Sequence, residues 1–256
     1  MAGSLRRWWR RAQFRPGLLG FLGNPYYLIR RHLWQAIRAE APRLTGRVLD
    51  VGCGSKPYRD LFATAEYVGM DVRISGHDHE GEDIDVFYDG VSFPFHAAGF
   101  DVVFMSEVLE HVPDASATLA ECRRVLRPGG HLLLTMPFLW GEHEMPFDHR
   151  RFTSVGLDAM LRQAGFLPIR AVRIGAVLET VVQLWADALT RWLPFRLRWL
   201  RGIRNILIAP GINIAGTIAR WMGPSDRGLF LGHVIIASTA MTSAPSPDPE
   251  RERREP

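Results

Sequence analysis

The stretch VLDVGCGSKPY, residues 48–58, combines an acid inside an apolar run with two closely spaced glycines. Gly52 and Gly54 permit backbone angles that a side chain would forbid, and they let a ligand approach the main chain. Pro57 stands where a dinucleotide-binding fingerprint has its third glycine, and the Gly-Lys-Ser/Thr ending of a Walker loop is absent. The residues therefore disfavour a pyrophosphate. They leave open another ligand that needs a bare backbone, or a tight turn with no ligand.

A second chemically rich stretch, PFLWGEHEMPFDHRRFT, covers residues 137–153. It contains two histidines, three acids, two arginines and four aromatic residues. A loop this polar and aromatic at the mouth of a sheet is a reasonable binding site or lid. A histidine there could act as a general base, and an arginine could bind an anion. The alternative is structural, in which Asp148 and Arg151 pair and cap the helix that begins near Thr153.

The pattern of apolar residues predicts strands that alternate with helices. Strands are expected at RVLDVG, YVGMDV, DIDVFYDG, FDVVFMSE, HLLLTMPF, LPIRAVRIG and GHVIIAST, and helices at NPYYLIRRHLWQAIRAEAPRL, KPYRDLFATA, DASATLAECRRVLRPGG and SVGLDAMLRQAGF. We expect Asn24 to cap the first of these helices and Pro25 to begin it, and the glycine pair to end the third. Such alternation implies a parallel sheet covered on both faces, with ligands bound where the strand order reverses.

The length of 256 residues fits one domain with additions. We expect a basic aromatic segment and helix at 1–44, the main domain at 45–241, and a disordered tail at 242–256. A helical insertion is expected at 176–224, before the last strand. Lys56 is the only lysine among 31 basic residues, which we interpret as a coding bias.

Two cysteines exclude a disulfide framework and a four-cysteine zinc site, which suits a reducing cytoplasm. No secretory signal is apparent, and no stretch is apolar enough to span a bilayer. The best candidate, ILIAPGINIAGTIARWM, is interrupted by Pro210, Gly211 and Asn213. The sequence therefore predicts a cytoplasmic location.

The net charge of +4 is unevenly distributed. Residues 1–39 contain eight arginines and no acid, and residues 191–227 contain seven arginines and one acid, whereas residues 40–190 hold 22 acidic against 13 basic residues. Arginine alternates with Trp, Leu and Ile in both basic flanks, as in elements that lie in a membrane surface. The flanks indicate peripheral contact with an anionic membrane. The alternative is a helical cap that packs on the domain and leaves its arginines in water.

The VLDVGCG motif resembles the first motif of class I S-adenosylmethionine-dependent methyltransferases, specifically a type 11-like subgroup. The resemblance covers most of residues 45–175. It implies an α/β, doubly wound, Rossmann-like sheet of seven mostly parallel strands with an antiparallel last strand. It also implies S-adenosyl-L-methionine as cofactor, with the glycine loop against its methionine part. The acid at Asp50 suits the positive charges of that part.

The resemblance also implies where the rest of the cofactor lies. Asp71 would accept hydrogen bonds from both ribose hydroxyls, since a carboxylate has two oxygens. DVFYDGVSFPF is similar to the third motif, in which Asp89 would accept from the adenine amino group; a mere turn cap is the alternative. FDVVFMSEVLEHV is similar to the fourth motif, which faces the cofactor from the far side. The candidate cofactor residues are Asp50, Gly52, Cys53, Gly54, Asp71, Val72, Asp89, Gly90, Ser106, Glu107 and His111.

The segment HEMPFDHRRFT resembles one found in methyltransferases among cell-surface glycan and lipid-linked saccharide enzymes. It implies His143, Asp148, His149 and Arg151 as catalytic candidates, with His143 as base and Arg151 binding an anionic acceptor. A metal site at residues 77–80 (HDHE) is conceivable, but a solvated loop is favoured, so no metal ligand is assigned.

The leading hypothesis is O-methylation of a sugar or lipid-linked saccharide at a membrane face. A quinone or other small lipid ring is a second acceptor class. RNA would explain the positive charge, but the chain has SEVL where amino-directed enzymes carry [DNS]-P-P-[YF], and no nucleic-acid partner is expected. A hypothesis of another class is a scaffold that binds S-adenosylmethionine without turnover. The oligomeric state is left open.

Overall fold

The computed structural model describes residues 14–64, 66–74, 82–193, 198–223 and 228–241, without the side chains of residues 198, 199 and 201. Within these residues seven strands form one sheet. They are β1 (Val48–Val51), β2 (Tyr67–Val72), β3 (Val86–Tyr88), β4 (Phe100–Ser106), β5 (Leu126–Pro137), β6 (Phe166–Ile174) and β7 (Gly232–Thr239). The helices are α1 (Leu18–Gly23), α2 (Tyr27–Glu40), α3 (Ala115–Val125), α4 (Ser154–Gln163), α5 (Val177–Trp192) and α6 (Arg198–Met222).

The strand order is β3-β2-β1-β4-β5-β7-β6. β7 runs antiparallel to β5 and β6, and the pairs from β3 to β5 are parallel. The predicted seven-stranded sheet with an antiparallel last strand is therefore confirmed. The order reverses where β1 lies between β2 and β4, so the loops that follow β1 and β4 leave the sheet side by side. This is the place where open α/β sheets bind ligands.

Apolar side chains cover both faces of the sheet, because successive strand residues point to opposite sides. Val103 and Met105 of β4 join the core under α3 and α4, whereas Val102 and Phe104 join the core under α2. Each large apolar side chain that is fully buried contributes about 1.5–3 kcal/mol, so the two cores hold the strand ends rigidly.

The helix predicted at KPYRDLFATA is wrong, since the chain there forms only a 3-10 turn, Arg59–Leu61. Lys56 adopts a left-handed conformation with φ +50°, which no α-helix continues. Its ammonium lies 2.6 Å from an Asp85 carboxylate oxygen, and its side chain is 1% exposed. An ion pair between the buried Lys56 of the glycine loop and the partly exposed Asp85 before β3 thus takes the place of the helix.

Two helix boundaries also differ from the prediction. Asn24 does not cap α2; its side-chain oxygen accepts from the Tyr26 amide and forms a turn, after which the helix begins at Tyr27. The glycine pair does not end α3, because Leu126 pairs with Phe100 and already belongs to β5. Gly130 is packed so closely in that strand that an added Cβ would lie 3.1 Å from the Asp101 carbonyl oxygen.

The helical insertion before the last strand consists of α5 and α6, and α6 continues through Pro210, where the sequence predicted an interruption. Its inner face packs on α1 and α2. The Asn213 amide donates to the carbonyls of Phe21 and Asn24, at 2.7 and 3.1 Å. Gly216 allows the approach of Leu28, which an added Cβ would meet at 2.2 Å. Among the described helices, none combines the length and hydropathy needed to cross a bilayer.

Several predictions fall on residues outside the described part of the chain. These are the arginine- and tryptophan-rich residues 1–13, the histidines and acids of residues 75–81, and the expected tail at 242–256.

Candidate functional site

A cavity of about 540 Å³ opens at the carboxyl ends of β1 and β4. One end is the glycine loop. The other, called here the histidine end, is formed by His111, Trp140, His143 and Glu144. Among the predicted site residues, Asp50, Gly52, Cys53, Gly54, Ser106, Glu107, His111 and His143 line the cavity. In the described chain, Asp71, Val72, Asp89, Gly90, Asp148, His149 and Arg151 lie outside this lining.

The glycine loop needs its glycines for two different reasons. Gly52 has φ +68°, and an added Cβ would lie 2.4 Å from a methyl group of Val108, which lies on the loop after β4. The packing of that loop therefore forbids a side chain at Gly52. Gly54 has φ +46°, and its nearest neighbour would be a Glu82 carboxylate oxygen at 3.5 Å. Gly54 therefore presents bare backbone to the cavity, as expected for a loop that a ligand approaches closely.

Asp50 is a buried acid in β1, one residue before the end of the strand and next to the glycine loop. Its carboxylate accepts a 2.6 Å hydrogen bond from the Tyr67 hydroxyl. Burial raises the pKa of Asp50 to about 7, against the lowering effect of that hydrogen bond. A cationic ligand at the loop would stabilise the ionised form, because an opposite charge within a few ångströms lowers a carboxyl pKa. The ammonium and sulfonium of a methionine-derived ligand suit this acid.

Asp71 closes the loop from the end of β2. One carboxylate oxygen accepts from the Gly54 amide at 2.9 Å, and the other accepts from the Val72 amide at 2.8 Å. The acid is buried, so it fixes the position of Gly54 relative to β2. Its contact with a ribose stays a prediction.

Asp89 occupies the turn after β3, beside Gly90. One carboxylate oxygen accepts from the amides of Val91 and Ser92, at 2.8 and 2.9 Å. These hydrogen bonds lower the pKa of the exposed Asp89 carboxyl. The structure thus shows the turn-capping arrangement that the sequence left as an alternative, and adenine recognition stays a prediction.

Glu107 follows β4 in a left-handed conformation, φ +56°, and lines the cavity. The Thr135 hydroxyl donates to its carboxylate at 2.9 Å and lies 2.9 Å from the Ser106 hydroxyl. Burial raises the pKa of Glu107 to about 7, against that hydrogen bond and the charges of Arg30 and Arg151. Asp50 and Glu107 therefore give the cavity two acids whose pKa values are raised.

The loop after β5 brings three of its four catalytic candidates together. The Arg151 guanidinium binds the Asp148 carboxylate through two nitrogens, at 2.5 and 2.8 Å. Asp148 also accepts from the His143 amide at 3.0 Å and lies 3.3 Å from His143 Nδ1. Although burial acts against it, Arg151 lowers the pKa of Asp148 to about 2. The exposed His149 stands apart from this network.

Arg151 is thus paired with Asp148. This pairing is the structural alternative that the sequence left open beside a role of Arg151 in binding an anionic acceptor. Arg151 therefore holds Asp148, and Asp148 in turn holds His143 at the cavity wall. The helix that follows is capped by Thr153, whose hydroxyl accepts from the Gly156 amide at 3.1 Å.

Glu110 lies fully buried behind the histidine end. Glu110 was not among the site residues predicted from the sequence. Both of its carboxyl oxygens are buried without a hydrogen-bond partner. Burial, and then the charge of Glu107, raise its pKa well above the usual range. His111 Nε2 lies 3.7 Å from one of these oxygens, beyond hydrogen-bond distance.

The N-terminal helix and the insertion supply cavity walls that the sequence analysis missed. Tyr26 and Arg30 come from the α2 region, and Asp187 and Arg191 come from α5. The Tyr26 hydroxyl lies 2.8 Å from the Thr190 hydroxyl and donates to Asp187 at 3.3 Å. The amphipathic patterns of α2 and α5 predict burial of one face, but they do not show which face meets the cavity.

The residues present fit S-adenosylmethionine. Gly54 offers open backbone, and Asp50 offers a carboxylate for a cationic amino acid. Lys56, the cation of the glycine loop, is buried against Asp85 and thus does not serve as a phosphate-binding group.

Comparison with known proteins identifies the family of this chain. A family model described as a methyltransferase domain matches residues 26–170. A Mycolicibacterium smegmatis protein named "Probable S-adenosylmethionine-dependent methyltransferase" is 32% identical over 160 residues, covering 57% of this chain and 61% of its own length. A ubiquinone biosynthesis O-methyltransferase of Thiobacillus denitrificans is 34% identical over 112 residues, covering 37% of this chain and 45% of its own. The chain thus spans less than two thirds of either relative.

Among solved structures, the fold is similar to phosphoethanolamine N-methyltransferase 2 of Haemonchus contortus in complex with S-adenosyl-L-methionine. The TM-score is 0.52 and the identity 16%, over 87% of this chain and 56% of the other. At that identity the likeness concerns the fold alone. The family match covers more than half of the chain and includes the glycine loop, Asp50, Glu107 and the histidine end. This chain belongs to the methyltransferase-domain family.

Proposed function

We propose that this chain transfers the methyl group of S-adenosylmethionine to a hydroxyl oxygen of a sugar or lipid-linked saccharide. The observation that carries the proposal is the continuity of the cavity. A single space of about 540 Å³ joins the glycine loop to His143, so a donor at one end and an acceptor at the other can meet in line. The sulfur–methyl bond breaks as the oxygen–methyl bond forms, and the sulfur leaves as a neutral thioether.

The acceptor hydroxyl must lose its proton in this reaction. His143 lines the cavity, and Asp148 lies 3.3 Å from its Nδ1. This carboxylate favours the tautomer with the proton on Nδ1, which leaves Nε2 as the base. General-base catalysis of this kind contributes about 10²–10⁴-fold. Tyr26, Asp187 and Arg191 offer hydrogen-bonding groups for a polyhydroxylated acceptor beside it.

We also propose that the acceptor reaches this cavity from an anionic membrane surface. The outer face of α6 exposes a stripe of apolar residues at spacings of three, four and seven, opposite the face that packs on α1 and α2. Leu207 is 75% exposed and Trp221 is 88% exposed. This outer stripe consists of Ile203, Leu207, Ile214, Ile218 and Trp221. Trp185 and Trp192 of α5 are also exposed. Exposed apolar patches of this extent in a basic segment are typical of interfacial elements.

A quinone or other small lipid ring is the second acceptor class. The similarity to a ubiquinone biosynthesis O-methyltransferase favours it, and a membrane-facing insertion serves such a ring equally.

The proposed function is tested with radiolabelled S-adenosylmethionine and three acceptor pools: lipid-linked saccharides, quinone precursors and transfer RNA. Label in the saccharide pool supports the first proposal, and label in the quinone pool supports the second. Calorimetric titration with S-adenosylhomocysteine is run in parallel. Tight binding without transfer to any pool would identify a cofactor-binding scaffold and contradict both proposals.

A further inference from the structure

Three metal-ligating side chains that the sequence analysis did not group meet at the histidine end of the cavity. Glu110 and His111 follow β4, and His143 lies on the loop after β5. One ligand atom of each residue lies within 4.8 Å of the others. The two imidazole rings meet edge to face with centroids 4.8 Å apart. The Glu144 carboxylate lies 3.9 Å from His111 Nε2, so a second acid borders the same point.

Glu110 is the observation that separates this cluster from an ordinary polar wall. It is 0% exposed, and both carboxyl oxygens lack a hydrogen-bond partner. Nearly all buried polar side chains have a partner, so two orphaned oxygens in one carboxyl group need an explanation. The Glu110 carboxyl group lies next to the two imidazoles, and a cation bound there would give its oxygens a partner.

The surrounding hydrogen bonds orient both imidazoles for ligation. His111 Nδ1 lies 3.2 Å from the Phe147 carbonyl oxygen. His143 Nδ1 lies 3.3 Å from the Gly141 carbonyl oxygen and 3.3 Å from the Asp148 carboxylate. These acceptors hold the proton on each Nδ1, so each Nε2 carries the lone pair. A metal-ligating histidine usually donates its other nitrogen to a carboxylate or a carbonyl in this way.

We propose that Glu110, His111 and His143 bind a divalent transition-metal ion such as Zn²⁺, with the remaining coordination position open to the cavity. Two imidazoles and one carboxylate are a ligand set that such ions accept, and three protein ligands leave one position for substrate or water. Ligand distances of about 2.0–2.2 Å require the three atoms to move closer than their present separation. The binding stands independently of the methyl acceptor. Only its role rests on the proposed function: with the ion bound, His143 Nε2 is a ligand and not the base, and the ion would instead lower the pKa of the acceptor hydroxyl.

The test is calorimetric titration of Zn²⁺ into full-length protein that was freed of metal with a chelator. We expect one Zn²⁺ per chain and at least a 100-fold loss of affinity in Glu110→Gln and His111→Asn. Asp148→Asn, which removes the orienting carboxylate beside His143 and also breaks its ion pair with Arg151, should lose about 10–100-fold. His149→Asn and Asp158→Asn are matched controls, since both residues lie outside the cluster, and they should bind Zn²⁺ like the wild type.

Thermal unfolding of the metal-free variants is the control that they are folded. Zn²⁺ should raise the melting temperature of the wild type and of both controls but not of Glu110→Gln. Equal Zn²⁺ affinity in wild type and Glu110→Gln would overturn the proposal, as would the absence of stoichiometric binding. The latter result would leave Glu110 as a buried, neutral carboxyl group. Methyl transfer is assayed separately, so Zn²⁺ binding without transfer contradicts the proposed function and not the metal site.

Discussion

The substitution Gly54→Ala separates the ligand-facing role of the glycine loop from its role as a turn. Gly54 has φ +46°, and a left-handed conformation costs a non-glycine residue about 1–2 kcal/mol. The nearest neighbour of the new methyl group would be a Glu82 carboxylate oxygen at 3.5 Å, an ordinary contact. We therefore expect the free energy of unfolding to fall by about 1–2 kcal/mol.

The same methyl group would lie at the cavity wall where the cofactor must approach the backbone. We expect the affinity for S-adenosylhomocysteine to fall about tenfold or more, equivalent to about 1.4 kcal/mol of binding free energy. Gly52→Ala should behave differently. Its methyl group would lie 2.4 Å from Val108, so overpacking adds about 1–3 kcal/mol to the backbone strain and the loss is mainly one of stability.

Gly165→Ala is the matched control, because Gly165 also has a positive φ, +82°, but lies between α4 and β6, away from the cavity. Its Cβ would meet the flexible end of Arg123, which can move aside. Unfolding by denaturant and calorimetric titration with S-adenosylhomocysteine give the two free energies. If Gly54→Ala loses stability like Gly165→Ala but binds the ligand like the wild type, the loop does not cradle the cofactor and the reasoning fails.

Three further predictions follow from the buried acid, the histidine and the outer stripe. Since burial raises the pKa of Asp50 from 3.8 to about 7, the native protein keeps a proton that the unfolded chain loses, and stability should fall as the pH rises from about 4 to 7. The proton on Asp50 contributes on the order of 4 kcal/mol to this pH dependence. The free energy of unfolding should therefore differ less between pH 5 and pH 8 in Asp50→Asn than in the wild type. An equal difference in the two proteins would contradict the assignment. His143→Asn should lower kcat by about 10²–10⁴-fold whereas His149→Asn keeps it, and equal rates in steady-state assays would remove His143 from catalysis. Leu207→Glu with Ile218→Glu should reduce co-sedimentation with anionic liposomes at low salt, whereas Val155→Glu, exposed on α4, should not; binding that survives both stripe changes would count against membrane docking.

Local chemistry explains why part of the site was predictable. Gly52 and Gly54 mark a backbone that no side chain could adopt at low cost, and Asp50 and Asp71 follow short apolar runs that can only be buried strands. The strand alternation then places their ends at one edge of a parallel sheet. The helix after the loop was mispredicted, because Lys56 pairs with Asp85, 29 residues away, and long-range ion pairs leave no local periodicity.

The sheet, its antiparallel last strand, the glycine loop and the likeness to methyltransferases could be predicted from the sequence, because they depend on backbone preferences and on the spacing of apolar residues. Which side chains share a space became visible only in the folded chain. The tertiary structure directed Arg151 to Asp148 and not to the cavity, brought α2 and α5 to the cavity wall, and set Glu110 without a partner behind two histidines. The reason is that contacts between residues far apart in the chain depend on how whole elements pack, and that packing is fixed by the two cores and not by any short stretch.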